Sequence, residues 1–333
     1  MIDFRYHLVS LVSVFLALAV GIVLGAGPLK ESIGKGLTES VHQLRLQKDA
    51  LHDELATANT GLDRRDTFVK DVTPSLVGGQ LADRSVAVVS LPDVDNDTVD
   101  PLVNAVTTAG GKVTGRVSLN SSWTDPAKAE ARTKAVNDLT AALPAGSVPA
   151  GDDVDAQLSA LLAGALVSAA ASPTTASSAN SKTVLDTLRS ADLIEVKGNV
   201  SGLAGGALVL APAVDDSTPV KATPAPNALA SYVTLAETLD TVGGGTVVTG
   251  PASSATDGGV LASVRKDDTT KDRVSTVDTG ATPMGVVTAV LALREQLAGN
   301  SGSYGFGSGV DDVMPTLPAV AGTSATTSPS ATK

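Results

Sequence analysis

The segment 8–29 constrains this chain more than any other feature. It reads LVSLVSVFLALAVGIVLGAGPL and holds no charged residue over 22 positions. A helix of this length is about 33 Å long, enough to cross a hydrocarbon core of roughly 30 Å. A buried helix of a soluble domain seldom stays apolar this long on every face. We therefore predict a transmembrane anchor whose lipid-facing residues include Leu8, Phe15, Leu16, Leu18, Val20 and Leu24.

The anchor is predicted to stay uncleaved. A secretory signal has an apolar core of about 7–15 residues, followed by small residues at −3 and −1. Cutting after Gly27 would put Pro28 at +1, which signal peptidase disfavours, and cutting after Ala26 would leave Leu24 at −3. The flanking charges decide little about orientation. The Thr-rich, cysteine-free body and its Pro/Ser/Thr tail favour a cytoplasmic head at 1–7 and an extracytoplasmic body, in a single-pass cell-membrane protein.

A heptad pattern follows the anchor over 37–62. Its apolar positions recur in alternating steps of four and three, the spacing of d and a positions in a coiled coil. Lys48 falls at an a position, where a polar residue costs stability but limits register and oligomer number. Continuity with a membrane anchor favours a parallel homodimer, and the alternative is one amphipathic helix packed on its own domain. The predicted dimer seam consists of Leu37, Val41, Leu44, Leu51 and Leu55.

The remainder of the chain alternates short β-branched runs with helical segments. Between coil and domain we expect a connector over 63–84, in which Pro74 and Gly78-Gly79 break regular structure. Several strands, such as SVAVVSL and ALVLAPA, are apolar throughout, which is typical of a parallel sheet covered on both faces. Predicted strands lie at 85–91, 112–119, 193–198, 207–213, 245–251 and 273–278. Predicted helices lie at 98–109, 126–143, 153–171, 182–191, 226–242 and 283–298.

The predicted fold class is therefore α/β: an N-terminal transmembrane helix, a coiled-coil stalk and a doubly wound, mainly parallel sheet domain over 85–298. The last segment, 299–333, is rich in Gly and then in Pro, Ser, Thr and Ala. It has too little apolar surface to order by itself, so we expect a low-complexity tail.

The N-terminal sequence is also the most specific part of the chain. MIDFRYHLVSLVSVFLALAVGIVLGAGPL closely resembles the opening of the actinobacterial copper transport protein B family. Weaker similarity continues through the coil, the strand and acidic turn at 86–97, GGKVTGRVSL at 110–119 and YGFGSG near the C terminus. The resemblance implies a membrane-anchored envelope protein that serves copper export or homeostasis, and copper enters through the resemblance alone. A related family role in cell division, beside a second membrane protein and a peptidoglycan hydrolase, implies an alternative. In that alternative the chain is a non-enzymatic dimeric scaffold that recruits or activates such a partner.

Catalytic signatures are missing from the sequence. The first strand lacks G-x-G-x-x-G, and G-x-x-x-x-G-K-[ST] does not occur. The chain has no cysteine, and all its histidines precede the α/β domain, which excludes thiol and Ser-His catalysis there. A formal charge of −11 argues against a nucleic-acid partner and against docking of the body on anionic lipid. We therefore expect a protein that is not an enzyme.

The turn after the first strand is the best candidate metal site. Asp93, Asp95 and Asp97 alternate there, and carboxylates at every second position can converge on a hard cation. The pattern is not an EF-hand, because Thr98 stands where Gly is required and Asn104 where Glu should close the loop. The alternative is a solvated turn in which Asp97 or Thr98 caps the next helix.

Copper ligands are scarce. Cu(I) prefers Cys and Met sulfur, and Cu(II) prefers imidazole. After the initiator the methionines are Met284 and Met314, and the histidines are His7, His42 and His52. On one helix His42 and His52 stand about 15 Å and some 80° of rotation apart, too far to share an ion. One apolar helix cannot form a pore either. The residues do not support a copper channel in one chain, so copper would be handled indirectly or by an assembly.

Overall fold

The computed structural model describes residues 4–26, 28–151, 153–172, 174–214 and 226–317. The chain divides into two compact units, Met1–Arg65 and Asp66–Lys333. In the first unit, α1 spans Phe4–Ala26. Its segment Phe4–Gly25 has a mean hydropathy of 2.7 and is exposed along its length, so it is long and apolar enough to cross a membrane. This agrees with the predicted N-terminal apolar helix.

The second helix, α2, spans Pro28–Val77 and passes from the first unit into the second. The expectation that Pro74 breaks regular structure in the connector is wrong, because Pro74 lies inside α2. A proline deletes one helical hydrogen bond, but Val69 and Leu76 pack against the domain core and hold this end of the helix. The two glycines do end it. The N–H of Gly78 donates to the Pro74 carbonyl at 3.0 Å, and Gly79 has a φ of +75°.

The second unit is built on a seven-stranded sheet in the order β3-β2-β1-β4-β5-β6-β7. Every neighbouring pair is parallel except β2 with β3. The chain moves outward from β1 to β3 and then returns to β4 on the other side of β1. The order in which strands are added to the sheet therefore reverses between β1 and β4, as in doubly wound folds. The strands are β1 Ser85–Ser90, β2 Lys112–Leu119, β3 Ile194–Val196, β4 Gly206–Leu210, β5 Thr246–Thr249, β6 Ser275–Val277 and β7 Ser303–Tyr304.

Helices cover both faces of this sheet, and β1 shows why. Val86 and Val88 belong to one core cluster, whereas Ala87 and Val89 belong to the other. Because successive strand side chains point to opposite faces, an all-apolar strand needs cover on both. The end of α2, α3 (Asn96–Thr108) and α9 (Pro283–Gln296) pack on one side. The other side holds α4 (Ala129–Ala142), α5 (Val154–Leu166), α6 (Ala179–Ser190), α7 (Pro226–Val242) and α8 (Val260–Lys266).

The C-terminal part differs from the predicted low-complexity tail. Ser303 and Tyr304 form β7, which pairs in parallel with β6. Asp312 bridges back to Tyr304, and Met314 packs against the core. The expectation that this segment would not order was based on its small apolar content, and it overlooked hydrogen bonds to distant residues. Within 299–317 the α/β domain therefore continues past residue 298.

Candidate functional site

Open α/β sheets bind ligands beside the carboxyl ends of their parallel strands, so a functional site is expected at this edge of the sheet. β1 runs from Ser90 into the acidic turn, β6 ends immediately before Asp278, and β7 ends immediately before Gly305. The first turn carries the aspartates predicted as a metal site, the second begins with Asp278, and the third is rich in glycine.

In the acidic turn the three aspartates have different roles. Asp93 adopts a φ of +66°. Asp95 is the N-cap of α3, and its Oδ1 accepts the Asp97 N–H at 3.1 Å. The expectation that Asp97 or Thr98 caps this helix is thus wrong, because the cap is Asp95. Asp97 lies in the first turn, where its charge favours the positive end of the helix dipole.

No metal cluster is formed by these groups. Across the residues that the structure describes, no three side chains of His, Cys, Asp and Glu come together closely enough to hold a metal ion, and Asp93, Asp95 and Asp97 are no exception. His42 and His52 lie exposed on the continuous helix α2, so the separation of about 15 Å expected from the helical rise applies. Met314 is used for packing against the core.

A buried ion pair at the end of β6 was missed from sequence. Asp278 is fully buried, and its Oδ2 lies 3.1 Å from Nη1 of Arg265, whose side chain is 5% exposed. The Asp278 carboxylate also accepts the N–H groups of Phe306 and Gly307, each at 2.9 Å. Arg265 in turn donates to the carbonyl of Ser308 at 3.0 Å. Buried charges persist when they are paired and hydrogen-bonded in this way.

This pair fastens the YGFGSG turn to the sheet. A Cβ at Gly305 would overlap the Asp278 carboxylate, so the turn needs glycine at that position. Its φ of +130° also favours glycine. The signal available in the sequence was an aspartate closing a strand and a glycine-rich run some thirty residues later. Nothing local indicated that the two segments meet.

A groove of about 550 Å³ opens on the face of the domain that carries α3 and α9. The end of α2, the outer side of α3 and the start of α9 form its walls. Each wall contributes one proline, namely Pro74, Pro101 and Pro283, and the buried Ala105 and Val286 add apolar surface. Its volume lies in the range of about 300–1,000 Å³ that is usual for ligand sites.

Charged groups from two walls reach the same groove. Asp66 and Lys70 come from α2, and Asp97 comes from the first turn of α3. Among the described residues, none of these three side chains has an ion-pair partner. The groove thus combines apolar surface with charges that are not paired within the described part of the chain.

The predicted seam on α2 lies uncovered in the single chain. Leu44 is 69% exposed and Leu51 is 66% exposed, and Gln47, Lys48 and His52 flank them. The other members of the predicted seam, Leu37, Val41 and Leu55, are exposed as well. The predicted anchor residues of α1 are likewise exposed: Leu8, Phe15, Leu16, Leu18, Val20 and Leu24.

Comparison with known proteins extends over nearly the whole chain. A family model described as "Copper transport outer membrane protein, MctB" matches residues 1–315. The copper transporter MctB of Mycobacterium tuberculosis (strain ATCC 25618 / H37Rv) is 33% identical over 326 residues, which cover 94% of this chain and 99% of that protein. The copper transporter MctB of Mycobacterium leprae (strain TN) is 32% identical over 321 residues, with the same coverage of both chains. This chain therefore belongs to the MctB family.

Proposed function

We propose that this protein is a membrane-anchored cell-envelope protein that takes part in copper export or homeostasis. The observation that carries the proposal is the match to the copper transport family over residues 1–315, together with relatives named as copper transporters that align over 99% of their length. The apolar helix α1 supports attachment to a membrane by a single pass. In this proposal the N terminus is cytoplasmic, the body is extracytoplasmic, and the protein is not an enzyme.

Copper is the cargo in this proposal, and one chain does not hold it alone. The sequence has no cysteine, and the described residues offer no cluster of three metal-ligating side chains. Since Cu(I) and Cu(II) prefer sulfur and imidazole ligands, the chain is poorly equipped to carry copper by itself. Its part in copper handling is therefore exerted through an assembly with other envelope proteins.

The assembly begins with a parallel homodimer through the coil at 37–62. Its support is the heptad spacing and the exposure of the seam leucines in the single chain. Removing a leucine side chain from water is worth about 1.5–3 kcal/mol, so an uncovered row of leucines favours association. The dimer carries two copies of the α/β domain into the envelope, where a protein partner meets them.

Copper content in cells tests the proposed function. A strain lacking the protein should accumulate several-fold more copper than its parent, and the wild-type chain should restore the parental content. Zinc content is the matched control and should not change. Unchanged copper content and copper tolerance would contradict the proposal. If such cells instead failed to separate after division, the scaffold alternative, a chain that activates a peptidoglycan hydrolase, would take its place.

Direct copper binding can be measured on the intact chain in detergent micelles. We expect at most weak, salt-sensitive binding of Cu(II) at Asp93, Asp95 and Asp97, lost when all three are changed to Asn. Calorimetry with Cu(II) and competition with a Cu(I) chelator measure it. Stoichiometric copper bound below about 1 µM, corresponding to roughly 8 kcal/mol, and surviving the Asp→Asn changes would show that one chain handles copper directly.

A further inference from the structure

The groove between α2, α3 and α9 shares no residue with the anchor or the coil, and Asp97 is its one residue from the candidate metal turn. It lies beside the carboxyl ends of two strands, because α3 follows the turn after β1 and the Gly280–Pro283 segment follows β6. This is the edge at which open α/β sheets bind ligands. The residues that line the groove are all in the second unit, so its geometry belongs to the folded domain.

Two prolines make the groove rich in hydrogen-bond acceptors. Pro74 and Pro101 lie inside helices and have no N–H, so the carbonyls of Lys70 and Asp97 each lose their donor four residues ahead. A helical carbonyl of residue i lies against residue i+4, and both members of each pair line the groove. Two backbone oxygens in its walls are therefore short of a helical partner.

Side chains add to this imbalance between acceptors and donors. The groove lining contributes two carboxylates, those of Asp66 and Asp97, and one ammonium group, that of Lys70, and none of the three is ion-paired within the described chain. A guanidinium carries five N–H donors in a fixed fork that suits carboxylate and carbonyl oxygens. Its aliphatic stem would lie along the apolar surface of Ala105 and Val286.

We propose that this groove binds a short arginine- or lysine-bearing segment of a protein partner in the envelope. The acceptors take the basic side chain, and the Lys70 ammonium and the hydroxyl of Thr98 reach the carbonyls of the bound backbone. The domain's overall acidity, with a formal chain charge of −11, draws such a segment toward it. Binding of such a segment requires no copper ion.

Fluorescence polarisation with a labelled, end-blocked Ala-Arg-Ala-Arg-Ala peptide tests the proposal on the intact chain in detergent micelles. A second peptide with glutamate in place of arginine is the probe control. We expect the arginine peptide to bind and the glutamate peptide not to bind. Asp66→Asn with Asp97→Asn should weaken binding of the arginine peptide about five- to tenfold, because the two lost charge pairs are only partly shielded from water.

A matched control separates the groove from general charge. Asp71→Asn with Glu130→Gln removes the same two negative charges from exposed positions outside the groove and should leave the affinity unchanged. Ala281→Trp should block binding by filling the groove rim without altering charge. Equal losses in the two charge-removing variants, full binding by the Ala281→Trp chain, or equal binding of both peptides would each overturn the proposal.

Discussion

One apolar stripe runs along both parts of helix α2, but it is exposed in the first part and packed against the domain in the second. Leu55, Leu62, Val69 and Leu76 follow one another at intervals of seven residues. The first two are exposed, at 58% and 51%, whereas Val69 and Leu76 pack against the domain core. Up to Leu62 the stripe lies bare in the single chain, and from Val69 onward the domain covers it. The same seven-residue spacing therefore gives exposed side chains in one half of the helix and side chains packed on the core in the other.

Exposed apolar side chains show the same contrast between the two units. Within the described residues 66–317, the exposed large hydrophobic side chains are Phe68, Phe306, Val313 and Leu317. In residues 4–25 and 37–65 they include every predicted lipid-facing residue of the anchor and every predicted seam residue. The α/β domain thus buries most of its own apolar surface, while the apolar side chains of the N-terminal unit are exposed in the single chain. We propose that lipid covers α1 and that a second copy of the chain covers the seam.

The largest expected effect comes from placing charge in the seam. Leu44→Asp with Leu51→Asp removes four leucine side chains from a dimer, each worth about 1.5–3 kcal/mol. That loss reaches the roughly 6–7 kcal/mol that a dimer at tens of micromolar represents, so we expect monomers. Light scattering of the intact chain in micelles measures the mass. Leu46→Asp, at an exposed leucine outside the heptad seam, is the control and should stay dimeric. A monomeric wild-type chain at this concentration would refute the coil.

The second-largest effect is expected from placing charge in the anchor. Leu16→Arg with Val20→Arg should cost about 2.5–3.5 kcal/mol for each arginine near the bilayer centre. We expect the doubly substituted protein to leave the membrane fraction, as measured by carbonate extraction and fractionation. Leu16→Ala with Val20→Ala, which keeps the helix uncharged, should remain in the membrane. Sequencing a mature N terminus near Pro28 in the wild type would show instead that the segment is cleaved.

A third change destabilises the α/β domain, the part of the molecule that buries its own apolar surface. Asp278→Ala leaves the Arg265 guanidinium buried without its carboxylate and frees the N–H groups of Phe306 and Gly307. We expect a loss of about 3–5 kcal/mol in the free energy of unfolding of the domain. Denaturation followed by the fluorescence of the buried Trp123, the one tryptophan of the chain, measures it.

The matched control for this change is a surface pair. Asp100 lies 2.6 Å from Arg116, and both side chains are partly exposed. Asp100→Ala should therefore cost about 0–1 kcal/mol. Equal costs for Asp278→Ala and Asp100→Ala would mean that the buried pair does not hold the C-terminal turn as the contacts indicate.

The smallest effect is a pH dependence within the domain. Burial raises the pKa of Asp240 above its ordinary value of 3.8, although Arg273, Gln296 and the Thr246 N–H oppose the shift. A raised carboxyl pKa means that the folded state holds its proton more tightly than the unfolded state does. Stability from this group is present below pH 3.8 and is lost as pH rises from there through the folded pKa. Asp240→Asn should remove that decline from a plot of the denaturation midpoint against pH, and an unchanged plot would exclude it.

Periodic and compositional signals accounted for most of the elements. The predicted helix at 226–242 and the strand at 112–119 coincide with α7 and β2. The apolar pattern of SVAVVSL correctly indicated a strand buried on both faces. Short elements were harder to predict from the sequence. The seven-residue helix α8 was not predicted, and the helix expected over 153–171 ends at Leu166, because Val167 bridges to Ala204.

Local pattern by itself determined where this chain is apolar on all sides, on one side, or on alternate sides, because burial repeats with the geometry of helix and strand. It thereby determined the apolar N-terminal helix, the heptad stripe and the α/β class. Only the tertiary structure decided that β3 runs antiparallel, that Pro74 stays within a helix, and that Asp278 holds a turn 28 residues away. Those outcomes depend on contacts between distant segments, and a hydrogen bond that a distant backbone N–H donates to a buried carboxylate leaves no periodic trace in the sequence.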